Sequence, residues 1–169
     1  MKINRAKLHR AYRYILDWFY PNICPCCNKV IEYDKDFCGE CAGELTEYTD
    51  SFSIPDVDVF TAYCVYDKNS SPAILEFKHD DGGNSYYAFA YRIKMAMERD
   101  GIGGDIDYIV PIPMSKQSLK KRGYNQAELM AKELRYMIDV PYANVLIKTR
   151  NTAMQKTLRS EERRVGKEC

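Results

Sequence analysis

The sequence predicts an α/β protein in which a small cysteine-rich module precedes a domain built on a parallel sheet. Two Cys-x-x-Cys turns, Cys24-Pro25-Cys26-Cys27 and Cys38-Gly39-Glu40-Cys41, lie near the N-terminus. Beyond them, short apolar runs alternate with amphipathic stretches at helical spacing, the order that generates strand, helix and strand crossovers. A chain of 169 residues with 46% hydrophobic and 29% charged residues is long enough for one core and unlike a disordered composition.

Leu8, Tyr12, Ile15, Leu16 and Phe19 recur on one helical face and Pro21 ends the pattern, so a helix is predicted over 4–19. Its apolar face is expected to dock on the protein's own core, with an anionic membrane as the alternative because the other face is basic. Cysteines and turn residues fill 22–45, and an acidic connector containing Pro55 marks a boundary near 50–56. Val57 to Tyr66 reads as a strand rich in β-branched and aromatic residues. Ser71-Pro72 opens a helix through Phe77, Gly82-Gly83 breaks it, and 85–99 resumes the helical pattern up to the glycines at 101–104. Tyr108-Ile109-Val110-Pro111-Ile112-Pro113 is a short strand, and 125–138 a helix bearing Ala127, Met130, Leu134, Met137 and Ile138. Val145-Leu146-Ile147 is the next strand, which completes a right-handed βαβ unit with parallel strands. The expected organisation is a helix at 1–20, a double Cys-x-x-Cys module at 21–52 and an incomplete sheet domain at 53–169.

Ten residues separate the two cysteine turns, the spacing of a treble-clef or ribbon-like zinc site in which each turn presents two thiolates. Cys24, Cys27, Cys38 and Cys41 are the expected ligands of one structural zinc, since four cysteines leave no open position for catalysis. Disulfides, unligated thiols and a redox Cys-x-x-Cys are the alternatives. Cys26 cannot replace either ligand of its turn without breaking the spacing and is left as a free thiol; Cys64, inside a strand pattern, reads as a small buried hydrophobe. Seven cysteines are an odd number, which favours metal over a disulfide framework and a reducing compartment, the cytoplasm.

Net charge is +1, but its sign changes in blocks. Residues 1–31 carry six Lys or Arg against Asp17, residues 32–58 carry nine acids against Lys35, and 148–169 carry seven Lys or Arg against three Glu. Such a pattern excludes a uniformly basic nucleic-acid surface, and the acidic block around the cysteines argues against direct DNA contact by that module. No stretch approaches the roughly 18 apolar residues of a transmembrane helix. Arg10, Arg13 and Asp17 interrupt the place where the apolar region of a signal peptide belongs.

The strand at 108–113 runs into a basic loop, Ser115 to Gly123. Asn125 with Glu128 three residues later is an N-cap with a capping-box partner. Helix N-termini attract anions, so Lys121, Arg122, Gly123, Tyr124 and Asn125 form a candidate phosphate or nucleic-acid site; an ordinary solvated loop is the alternative. His9 and His79 read as surface or capping groups. Trp18 and the fourteen tyrosines offer base-stacking surfaces, although Tyr12, Tyr63 and Tyr108 stand at core-facing spacings.

Cys-Pro-x-Cys with a second Cys-x-x-Cys, the Val-Pro-Ile-Pro run and Arg122-Gly123-Tyr124-Asn125-Gln126-Ala127-Glu128 together resemble the ComF/GntX family. The resemblance runs from about Tyr20 through Arg150, Gln155, Lys156 and Leu158 to Arg163. It implies a zinc ribbon joined to a type I phosphoribosyltransferase-like parallel sheet, and a role in natural competence and uptake of single-stranded DNA beside a helicase partner. Phosphoribosyltransferases hold phosphoribosyl diphosphate and magnesium on a strand ending in paired acids and a Thr-Thr-Gly turn, and no such segment occurs here. Asp80-Asp81 is followed by Gly82-Gly83, and no apolar strand delivers it. The family continues past Arg163, whereas this sequence departs from it at Arg164 and reads to Cys169, so the resemblance implies a domain truncated at its C-terminus. No catalytic residue is assigned, and Mg2+ is expected only with a complete site for phosphoribosyl diphosphate. Three roles follow: an accessory protein of DNA uptake that binds phosphate-containing ligands or single-stranded DNA, a phosphoribosyltransferase, or a zinc-stabilised interaction module.

Overall fold

The computed structural model describes residues 5–50, 53–79 and 85–149. Six helices form among them: α1 (Arg5–Asp17), α2 (Gly39–Glu44), α3 (Ser71–His79), α4 (Ser85–Arg99), α5 (Lys116–Arg122) and α6 (Gln126–Ile138). Asp80-Asp81, the family-like residues Arg150, Gln155, Lys156, Leu158 and Arg163, and the stretch from Arg164 to Cys169 lie outside the described residues.

α4 is the central element because two of its faces are apolar. Ala88 joins Cys24, Phe37 and Ala73 in one buried cluster, while Ala90 and Met97 pack with Leu134 of α6 in a second. Small side chains at Ala88, Ala90 and Ala96 let neighbouring elements approach closely. The first cluster ties the cysteine module to α3 and α4; the second is completed by Ile93, Ile102, Ile106, Ile109, Met137 and Ile138.

The parallel sheet expected from the sequence, and with it the phosphoribosyltransferase-like domain, is not formed: the described residues contain isolated bridges and no strand. Ile109 bridges Tyr142 in parallel, with Ile109 N–H donating to Pro141 O at 2.9 Å and Ala143 N–H to Ile109 O at 3.0 Å. The pairing cannot spread along 108–113 in the usual way, because Pro111 and Pro113 lack the N–H that a ladder requires. Val145, Leu146 and Ile147 make no bridge and remain exposed. The segment at 57–66 touches 46–48 at the single antiparallel bridge between Glu47 and Cys64. Apolar β-branched runs become strands only where a neighbour supplies hydrogen bonds and cover along their length, and these runs meet a neighbour at isolated bridges at most.

A second correction concerns α1. Its apolar stripe points outward: Leu8, Tyr12, Ile15 and Phe19 are all exposed, and Arg13 is the buried residue of the helix. The polar face does the docking. Arg13 donates to Tyr33 O at 2.9 Å, lies 3.8 Å from the Glu133 carboxylate of α6 and stacks 3.3 Å over the Tyr87 ring. His9 stacks on Tyr136 at 4.2 Å, with its Nε2 3.4 Å from Glu133. Glu133 is only 4% exposed, and a carboxylate so buried must meet cations, which decides the face that α1 turns inward. Tyr12 and Tyr108, expected in the core, are likewise exposed.

Candidate metal centre

The first cysteine turn is shaped by its own backbone. Asn28 N–H donates to Cys24 O at 2.9 Å and Cys24 N–H to Lys29 O at 2.8 Å, with Asn28 left-handed at φ 59°. Asparagine tolerates that conformation better than most residues. The loop is closed from beneath by Asn22, 3% exposed, whose side-chain amide donates to Glu32 O at 2.9 Å and Lys35 O at 2.8 Å. The second turn is the start of α2: Cys38 is its N-cap, and Cys41 N–H points at Cys38 Sγ at 3.5 Å.

These two turns bring the sulfurs of Cys24, Cys27, Cys38 and Cys41 within 4.8 Å of one another. Cys27 and Cys38 are 3.7 Å apart. Four thiolates on a tetrahedral zinc at about 2.3 Å stand about 3.8 Å from each other, so the cluster fits that ion with small adjustments. Cys24 is fully buried and Cys27 faces solvent. The Cys41 N–H pulls the Cys38 thiol down to about 7, while burial pushes the Cys41 thiol up. Cys26 is outside the cluster; its Sγ lies 3.5 Å from Asn69 O and burial raises its pKa to about 11. Cys64 is half-buried and shifted upward by the same cause.

The opposing charge blocks of the sequence meet around this module. Arg10 pairs with Asp34 at 3.1 Å and Lys29 with Glu40 at 2.5 Å. Arg92 of α4 reaches Asp36 and the Tyr63 hydroxyl, its guanidinium 5.0 Å over Phe37 and 4.6 Å over Tyr63. Three acids of the block, Asp34, Asp36 and Glu40, are thereby paired with cations. Arg92 and Asn22 were not singled out from the sequence. The available signal for Arg92 was a cation on the same helical line as Ser85, Ala88 and Ala96, where a solvated charge does not belong.

The five candidate phosphate-site residues lie together at the junction of α5 and α6. The expected basic loop is instead helical: Ser115 caps α5 by accepting from Ser118 N–H at 3.2 Å, and Gly123 ends it at φ 84°. Lys121 and Arg122 occupy its last turn, Arg122 donating to Gln126 Oε1 at 3.0 Å. Tyr124 donates its hydroxyl proton to Phe77 O at 3.0 Å. Asn125 caps α6, accepting from Ala127 N–H at 3.1 Å while its amide donates to Ile112 O at 3.0 Å. The Glu128 carboxylate is held by Lys132 at 2.6 Å and Tyr142 at 3.1 Å. Tyr124 and Asn125 thus fasten the two helices to α3 and to the 108–113 segment.

Comparison with known proteins adds to this geometry. Residues 15–52 match the double zinc ribbon domain, and this stretch contains all four clustered cysteines. The chain is 26% identical to Competence protein F of Haemophilus influenzae, over 84% of this chain and 66% of that protein. The chain thus spans just under two thirds of its relative's length. No solved structure matches. The four converging thiols lie inside the double zinc ribbon match, so the chain carries a candidate zinc-binding module, and over most of its length it is similar to Competence protein F.

Proposed function

We propose that the chain is a zinc-stabilised accessory protein of natural competence, in which Cys24, Cys27, Cys38 and Cys41 hold one structural zinc. The convergence of four sulfurs within 4.8 Å carries the reading. The ion closes a segment whose own apolar content is small, so its binding energy is folding energy. α3 and α4 pack on this segment through Ala73 and Ala88, which extends that stabilisation to the rest of the molecule. A reducing compartment suits the six described cysteines, all free thiols. No described helix is long and apolar enough to cross a membrane.

The test is metal analysis of purified protein with paired variants. About one zinc per chain is expected, falling below about 0.1 in Cys27→Ser and Cys41→Ser but unchanged in Cys26→Ser. Equal zinc content in all four proteins refutes the assignment.

The finer role is binding of phosphate-containing ligands or single-stranded DNA by Lys121, Arg122, Gly123, Tyr124 and Asn125. Three consecutive cations at the end of α5, Lys120 to Arg122, all exposed, support it. Affinity for a short oligonucleotide should fall with salt, and Lys121→Ala with Arg122→Ala should reduce the salt slope by about two. Titration with phosphoribosyl diphosphate and Mg2+ separates a small-ligand site from a DNA site, and co-purification with a competence helicase tests the partner role. An unchanged salt slope in the double variant removes these residues from the site.

A further inference from the structure

We propose that the outward face of α1 lies on the surface of an anionic lipid bilayer. Exposed Leu8, Tyr12, Ile15 and Phe19 form one apolar stripe, with Ile15 at 60% and Phe19 at 75% exposure. An amphipathic helix normally buries such a stripe in its own core; here the core is met by His9 and Arg13 instead.

Charge selects the occupant. Arg5 and Lys7 are exposed along the stripe, while Asp17, the one acid of the helix, is turned inward and accepts from Asn22 N–H at 2.7 Å. The outer half of α1 therefore carries cations and no carboxylate, which complements lipid phosphates. Trp18, Phe19 and Tyr20 follow directly, at least 72% exposed each, and amphipathic rings of this kind settle at headgroup level. Beside Leu8 and Tyr12 opens a cavity of about 980 Å3, walled by the cations Arg5 and Arg135, one carboxylate, Asp139, and Val140 and Tyr142. Cationic and aromatic groups bordering an apolar stripe are the combination that holds a helix in the interfacial plane.

The experiment is flotation of the 169-residue protein with vesicles of phosphatidylcholine, alone or with about 30% phosphatidylglycerol. Trp18 is the single tryptophan, so its emission reports the face directly. Flotation and a blue shift are expected with the anionic vesicles alone, both weakened by salt. Ile15→Glu should lower the affinity by about tenfold or more, with zinc content and far-ultraviolet circular dichroism unchanged because Ile15 is solvated. Arg5→Glu with Lys7→Glu should remove the preference for anionic vesicles. Absence of flotation and blue shift overturns the proposal, as does equal binding by Ile15→Glu. A dimer that Ile15→Glu dissociates also overturns it, since the stripe is then a self-association surface.

Discussion

Replacing Glu133 by alanine should loosen the attachment of α1 more than any other single change on α6. The carboxylate is 4% exposed and stands between His9 Nε2 at 3.4 Å and Arg13 Nη1 at 3.8 Å. Burial lowers the pKa of Arg13, and the charge of Glu133 is the largest influence drawing it back. Breaking a fully buried ion pair costs about 3–5 kcal/mol because one charge stays stranded. Here the guanidinium keeps Tyr33 O and the Tyr87 ring, so the expected loss is smaller, about 2–3 kcal/mol. That corresponds to a change of about 30- to 150-fold in the folding equilibrium. Urea unfolding of zinc-saturated protein at neutral pH measures it, and a cycle with Arg13→Met should show coupling of at least about 1 kcal/mol. Additive variants, or a loss in Glu133→Ala below about 0.5 kcal/mol, refute the claim that this carboxylate orients the helix.

Asn22→Ala leaves two carbonyls under the cysteine turn without their donor and should cost about 2 kcal/mol in urea unfolding and weaken zinc retention against a chelator. Gly123→Ala meets no atom within 4 Å but forces a side chain to φ 84°, so a loss of about 1 kcal/mol is expected with helix content preserved. Arg99 and the Thr61 hydroxyl hold the Asp100 carboxyl down to about 2. Its folded value lies below the unfolded one of about 3.9, so its stabilising contribution is complete above pH 4 and lost as pH falls towards 2. Carboxyl NMR titration should give that low midpoint, and Asp100→Asn should flatten the pH dependence of stability in that window.

Local signals proved legible where they recur at short range. Two Cys-x-x-Cys turns bring four sulfurs together through backbone bonds within each turn, and the 85–99 helix appears with the bounds its apolar spacing predicts. The 125–138 helix appears as α6 behind its Asn125 cap. Lys116–Arg122 has no apolar periodicity, so the sequence predicts a loop there, whereas the flanking Ser115 and Gly123 are the signals that delimit α5. Val57–Tyr66 and Val145–Ile147 have the composition of strands, but the first pairs only at isolated bridges and the second at none, so no ladder forms. The orientation of α1 was beyond periodicity: a hydrophobic stripe states that one face is apolar, while Glu133, over one hundred residues away, determines which face turns inward.

The side on which the two prolines at 111 and 113 lie has a consequence for behaviour at high concentration. Ile112 is 77% exposed and Val110 39%, so the segment is apolar, extended and accessible, the usual recipe for recruitment of a second chain into an intermolecular sheet. Such growth needs a row of amide donors on the open side, but Pro111 and Pro113 share the side on which Ile109 already pairs with 141–143, and the Val110 and Ile112 N–H groups point the other way. The prolines therefore limit the internal pairing and not the open edge, and Ile112→Lys should lower the tendency to aggregate at high concentration, as read by light scattering.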